Sequence, residues 1–337
     1  LIWLRERAGN DADRIMHGLN ANSWVARPWP YGEALHPTTW ATSQAIDFLR
    51  RRDPTKPFFM WLSYVRPHAP LDPPQVYFDQ YINQTYPPVP CGDWADRETR
   101  AKTVDSRAGI LGERQLHRAR AAYYAHITHI DHQIGRLLET LGEYNLRDDT
   151  MILFSSDHGE LLGDHNLFRK GLPYEGSARV PLLIRPARDG CGKAGSVVDA
   201  PVELRDLMPT ILEAAGTVIP SSVDGLSLLP WLRGEAGEWR RYIHGEHASE
   251  GWENHYITTG KIKYVWFSAD GREQFFDLAG DPDENHNLID EPSAQEDVRW
   301  CREMLVRELT GREEGYTDGE RLIPGRKARP YLEQAGS

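Results

Sequence analysis

The segment running from Glu113 to Ser156 constrains the fold more than any other. The stretch "ERQLHRARAAYYAHITHIDHQIGRLLETLGEY" places Leu116, Ala119, Tyr123, Ile127, Ile130, Ile134, Leu137 and Leu141 at three- and four-residue steps. That is the period of an amphipathic helix. Directly behind it, "TMILFSS" is an unbroken apolar run with no alternation, the pattern of a strand buried on both faces. "VPLLIRP" repeats the pattern thirty residues later. Strand, helix and strand in this order predict an α/β domain with a mostly parallel sheet flanked by helices.

The remaining chain is consistent with that frame. "PTTWATSQAIDFLRRR" predicts a helix with Trp40, Gln44, Ile46 and Leu49 near one side. "KPFFMWLSYV" reads as a further buried strand leading into "RPHAPLDPP", where four prolines enforce a loop. Residues 72 to 112 are rich in Pro and Gly and read as a surface wrap, as do the irregular first thirty residues. Beyond residue 235 the pattern changes. "HYITTGKIKYVWFSADGREQFFDL" alternates like antiparallel strands with Asp270-Gly271 as a hairpin turn, and "SAQEDVRWCREMLVRELTG" closes as a helix. The expected organisation is a large domain over 1–235 and a small α+β subdomain over 236–337.

Composition narrows the function classes. A net charge of −11 argues against a general nucleic-acid partner, which needs a basic face. No apolar run reaches the roughly 20 residues that span a bilayer, so no membrane partner is expected. Cys91, Cys191 and Cys301 are too widely spaced for a CxxC metal site or a disulfide framework and read as unpaired thiols. The chain opens on Leu1 and carries no address from which a compartment can be read.

The chemistry concentrates after the apolar strand. In open α/β sheets, ligands bind beyond the carboxyl ends of strands, and "MILFSSDHGE" puts Asp157 and His158 there, with Gly159 permitting a sharp turn. A carboxylate and a neutral imidazole on adjacent residues can reach one cation. Lys170, in "RKGLPYEGSARVP", is a point charge suited to a tetrahedral oxyanion. His68, in "RPHAP", leaves the same predicted sheet edge on a proline-stiffened loop.

These residues sit in motifs that resemble the sulfatases of the alkaline phosphatase superfamily. The resemblance runs through "SSDHGELLGDHNLFRKGLPYEGSARVPLLI", "YYAHITHIDHQIGRLL", "RPHAP", "DLMPTILEAAG", "DGLSLLPWLRG" and "GKIKYVWF…QFFDLAGDPDENHNL". It covers essentially the whole chain in order and is similar above all to bacterial arylsulfatases and glycan sulfatases. It implies an alkaline-phosphatase-like fold and metal-dependent hydrolysis of a small-molecule or glycan sulfate ester. Asp157 and His158 would be metal ligands, Lys170 would contact the sulfate, and His68 would lie near the ester oxygen. The family metal is calcium; because His158 offers a nitrogen, Mg²⁺, Mn²⁺ and Zn²⁺ remain alternatives. Arg66, His165, Arg169 and, in "HGEH", His247 are candidates for substrate contact. His126, His129 and His132 imitate a metal site, but the resemblance assigns that helix none, and they read as its polar face.

The resemblance also implies parts that this chain does not display. The family nucleophile is a formylglycine made within a Cys-x-Pro/Ala-x-Arg motif, and "CGDWA", "CGKAG" and "CREML" do not match it. The chain therefore reads as the C-terminal portion of a sulfatase, with the N-terminal part of the fold, or a second chain, completing the site. A groove beside "MILFSS", or another segment filling it, is the structural expectation. Two other readings stay open: a phosphonate or phosphate ester hydrolase of the same superfamily, and a catalytically inactive glycan-binding remnant.

Overall fold

A computed structural model describes residues 1–96, 107–188, 195–235, 237–248 and 252–328. They divide into two units. The first comprises Leu1–Val89, Arg97–Thr150 and Asn166–Phe168, and the second Pro90–Asp96, Met151–His165 and Arg169–Ser337. The sequence boundary at residue 235 falls inside the second unit.

The first unit is helical. It contains α1 (Ile2–Ala8), α2 (Pro37–Arg51), α3 (Gln75–Tyr81) and the 31-residue α4 (Glu113–Glu143). The short α3 and α1 arise where sequence alone predicted irregular chain; Pro74 precedes the first turn of α3, where a missing N–H costs nothing. Helices α2 and α3 both pack on α4. The buried face of α4 takes Ala119, Ile130 and Leu141 from the aliphatic stripe, with Ala121, Ala122, Ala125, His126 and His129 beside them, while Ile127 is exposed. Small side chains let neighbouring backbones approach closely, and Leu71 and Phe78 pack into that space. On α2 the covered side is Thr38, Thr42, Ala45, Ile46 and Leu49, leaving Trp40 and Gln44 outside it.

The segment 57–65 forms no ladder among the described residues, although it was expected as a buried strand. Its exposure alternates: Phe59, Trp61 and Val65 face outward at 66%, 82% and 67%, while Phe58, Met60, Leu62 and Tyr64 are half-buried. The backbone is extended with one side covered, so the prolines and the apolar run set the conformation without a strand partner.

The second unit opens with β1 (Ile152–Ser155), followed by the four-residue α5 (Glu175–Ala178) and β2 (Leu182–Arg185). The two strands pair antiparallel, with Ile152 opposite Arg185 and Ser155 opposite Leu182. The mostly parallel sheet expected here is therefore corrected for this pair. A parallel pair needs a crossover that carries the chain back to the starting end, and residues 156–181 instead turn it around. Burial on both faces is corrected too, since Phe154 and Leu183 are exposed. Among the described residues β1 has β2 as its only ladder partner.

Helices α6 (Leu207–Ala214) and α7 (Leu229–Arg233) follow. Then come β3 (Ile243–His247), β4 (Asn254–Thr258), β5 (Ile262–Phe267) and β6 (Glu273–Asp277), an antiparallel sheet in sequential order. Gly271, at φ 79°, closes the β5–β6 hairpin as the Asp-Gly signal implies. Helix α8 (Gln295–Leu309) covers one sheet face, where Ile257, Tyr264, Trp266 and Phe275 meet Val298, Cys301 and Leu305. Burial pushes the Cys301 thiol up to about 12, so it is inert there. Cys191 lies outside the described residues.

Candidate functional site

In the second unit, the chain leaves β1 and turns at Asp157. One Asp157 oxygen accepts the His158 backbone N–H at 3.0 Å, and the other lies 3.5 Å from His158 Nε2. His158 Nδ1 lies 2.8 Å from the Gly159 carbonyl oxygen. A carbonyl can only accept, so Nδ1 carries the proton and Nε2 turns its lone pair toward the same side as the carboxylate. Gly159 is required by contact: a Cβ there would meet the Gly176 carbonyl oxygen at 2.2 Å, and its N–H donates to Ser177. The Asp-His turn is thereby seated against α5.

Beyond it the backbone is unusual. Leu162, His165 and Arg169 adopt φ of 46°, 55° and 72°, a region that costs non-glycine residues about 1–3 kcal/mol each. His165 is buried. Its N–H donates to Pro90, its Nδ1 accepts the Gly92 N–H at 3.0 Å, and its ring lies against Trp94 and Tyr174. It serves as a post on which the 90–94 segment is hung. Arg169 is also buried, at 7% exposure, and its Nε and Nη2 have no hydrogen-bond partner among the described residues. Burial lowers its pKa, with Glu160 opposing.

Lys170 is half-buried and is followed by Gly171 at φ 89°. A Cβ on Gly171 would stand 2.6 Å from His247 Nε2, so the His247 ring rests against the backbone next to Lys170. The segment is then fastened to the four-stranded sheet. Asn254 donates to the Gly171 carbonyl at 2.9 Å, and the Tyr174 hydroxyl donates to Gln274 at 2.8 Å. Lys263, on β5 and 1% exposed, donates to the Pro173 carbonyl, Glu175 and Glu284 at 2.7, 2.7 and 2.9 Å. Glu284 in turn accepts the Glu175 N–H. Burial alone would strip the Lys263 proton, but the two carboxylates outweigh it and raise the pKa.

Sequence reasoning missed these fastenings. The available signal was Lys263 itself, a charged residue inside the apolar run "IKYVWF".

His68 and Arg66 lie in the first unit. His68 is half-buried, with Nδ1 2.9 Å from the Ala69 carbonyl oxygen, which again places the proton on Nδ1. Arg66 does not present its guanidinium outward: Nε and Nη2 both donate to the Asp72 carboxylate, at 2.7 and 2.9 Å. His17 also contacts Asp72, and His126 Nε2 accepts the Asp72 backbone N–H.

His126 and His129 are fully buried, which corrects the polar-face reading; only His132 is exposed. They satisfy polar groups from Asp72 and Thr39 and pack against His36 and Tyr77, partners distant in sequence. Burial, then His126 and His132, lower His129 to about 3. Ligand atoms of His36, Asp72 and His126 fall within 4.8 Å of one another, but Arg66 donates to both Asp72 oxygens and His17 shares one of them, so this is a polar network rather than a cation site.

Comparison with known proteins agrees with the motifs. The sulfatase family profile matches residues 1–217, and the profile for the C-terminal region of N-sulphoglucosamine sulphohydrolase matches residues 163–310. An arylsulfatase of Clostridium perfringens is 54% identical over 329 residues, covering 96% of this chain and 68% of that protein. A multifunctional alkaline phosphatase superfamily protein, PehA of Trinickia caryophylli, is 33% identical, covering 81% of this chain and 61% of that protein. Among solved structures, the phosphonate monoester hydrolase of Agrobacterium radiobacter superposes with a TM-score of 0.77 at 26% identity. That match covers 98% of this chain and 72% of the other. The chain thus spans about two thirds of the length of these relatives.

Proposed function

The chain belongs to the sulfatase family, and on that premise we propose that the whole protein hydrolyses sulfuric esters, aryl sulfates or sulfated sugars. The observation that carries the reading is the paired carboxylate and imidazole at 157–158, held in one unit with Lys170 on its fastened loop. Asp157 and His158 fit a divalent cation: an exposed carboxylate oxygen and a lone-pair nitrogen stand 3.5 Å apart on one side of a rigid turn. A mixed oxygen and nitrogen pair is compatible with Ca²⁺ and favourable to Mn²⁺ or Zn²⁺. Such a cation, when bound, would polarise the sulfate and favour the ionised nucleophile.

The chain's own residues take defined parts. Lys170 holds a sulfate oxygen as a charged donor that strengthens as negative charge develops. His68, once its Nε2 has also taken up a proton, gives that proton to the departing alcohol oxygen and returns to the neutral ring with Nδ1–H on the Ala69 carbonyl. Arg169 supplies two buried N–H groups whose partner is a substrate anion or an acidic group outside the described residues. Arg66 acts indirectly, its ion pair with Asp72 stiffening the loop that bears His68. His165 shapes the turn, and His247 lines the Lys170 side. The nucleophile, a formylglycine in this family, is expected on a segment outside this chain.

The phosphonate and phosphate ester reading also has support, in the likeness to a phosphonate monoester hydrolase. A tetrahedral anion held by a lysine and a cation suits both reactions. The test is the full-length protein, co-expressed with a formylglycine-generating enzyme, assayed on aryl sulfates, sulfated sugars and a phosphonate monoester. Turnover of a sulfate is expected. Turnover of the phosphonate alone would replace the sulfatase reading with the second one.

A further inference from the structure

On the edge strand β3, His244 and Glu246 are two residues apart and share one face of the sheet. His255, on β4, is the register partner of Glu246. All three side chains therefore converge, on the α8 side of the sheet, opposite the face that carries Asn254 and Lys263. His244 Nε2 lies 3.3 Å from His255 Nδ1, and that same Nδ1 lies 3.3 Å from Glu246 Oε2. Ligand atoms from all three residues fall within 4.8 Å of one another.

The two 3.3 Å spacings are those of neighbouring ligands in a coordination polyhedron. Tetrahedral zinc with bonds of about 2.0–2.1 Å sets neighbouring ligand atoms roughly 3.3 Å apart. Hydrogen bonding alone does not serve both contacts, because His255 Nδ1 cannot accept a proton from His244 and donate one to Glu246 at the same time. The surroundings complete the pattern. Gly245 lies under the Tyr256 ring, where a Cβ would be 2.1 Å from ring carbon, so β3 lies close against β4. The His255 ring is walled by Trp266 and Tyr316. Arg312 donates to Glu246 at 2.9 Å and to Glu314, which orients the carboxylate while leaving it a lone pair for a metal.

We propose that His244, Glu246 and His255 form a zinc site, with water as the fourth ligand, that clamps β3 onto β4. Two imidazole nitrogens and one carboxylate oxygen suit zinc rather than calcium or magnesium. This site is separate from Asp157 and His158 and does not depend on the proposed activity.

The experiment uses this 337-residue chain stripped of metal and carrying Asp157→Ala and His158→Ala, so that the other candidate ligands are silent. Titration with Zn²⁺ by calorimetry is expected to give one equivalent with at least micromolar affinity. His244→Ala and Glu246→Gln, at half-buried and exposed positions that folding tolerates, should each weaken binding at least tenfold. Zinc should also slow hydrogen exchange at the β3 amides in the parent and not in either variant. Absence of binding in the parent, or undiminished binding in both variants, would overturn the proposal.

Discussion

Replacing Lys263 tests whether the sheet holds the Lys170 loop. Lys263→Met keeps the length of the side chain and removes its charge. It leaves the buried Glu284, 1% exposed, and the half-buried Glu175 without this donor. Breaking one side of a buried ion pair costs about 3–5 kcal/mol, mostly from the charge left behind. The loss here falls in that range because Nζ also leaves the Pro173 carbonyl unpaired. A unit of this size shifts its midpoint by roughly 2–4 °C per kcal/mol, so the thermal transition should fall by on the order of 10 °C. Circular dichroism melts of the parent and variant measure it. Adding Glu284→Gln to Lys263→Met should recover part of the loss, since the stranded charge is then gone. A single-variant loss under about 1 kcal/mol, or no recovery in the double variant, would show that the charges are solvated and the loop is held by other means.

In the full-length enzyme, Lys170→Ala and His68→Ala should each lower kcat/KM by roughly 10² or more; steady-state assay on an aryl sulfate decides, and near-normal rates would remove the roles assigned. Asp157→Ala should lose the bound divalent cation, read by elemental analysis of purified enzyme, and full occupancy would refute it as a ligand. Acid should destabilise the helical unit. His129 is held near 3 in the folded chain, below its ordinary 6.5, so the unfolded chain takes up the proton first. That stability is complete above about 6.5 and drains away as pH falls toward 3, which urea midpoints measured from pH 7 to 5 should follow and His129→Gln should flatten. Gly171→Ala should destabilise the loop through both its φ and the His247 contact, and an unchanged melt would mean that the ring moves aside at no cost.

Periodicity carried the sequence reading where one local rule decides the outcome. Helix α4, the β4–β6 alternation, the hairpin at Gly271 and the placement of Asp157 and His158 just past β1 all follow from short-range pattern. Strand direction does not. "MILFSS" and "VPLLI" say only that two apolar strands exist, while the antiparallel register depends on how residues 156–181 fold back. Polar burial was equally hidden. His126 and His129 occupy a helical stripe that looks solvated until Asp72 and Thr39, 54 and 90 residues away, arrive as partners. Lys263 was obscured for the same reason, its carboxylates lying at Glu175 and Glu284.

The antiparallel pairing of β1 and β2 has a consequence for chain entropy. Its rungs join residues only 27 to 33 apart, from Ser155–Leu182 to Ile152–Arg185. Everything proposed for the site in this unit, apart from His247, lies inside that short closed loop. The fastenings to the small sheet span far more chain: 83 residues for Gly171–Asn254 and 100 for Tyr174–Gln274. Loop-closure cost rises only as the logarithm of length, yet long contacts form late because intervening chain must order first. The two levels are therefore separable. A lesion in the small sheet such as Lys263→Met should leave the Ile152–Ser155 amides slow to exchange while the 171–175 amides open. The turn bearing Asp157 and His158 would then keep its shape while Lys170 loses its orientation.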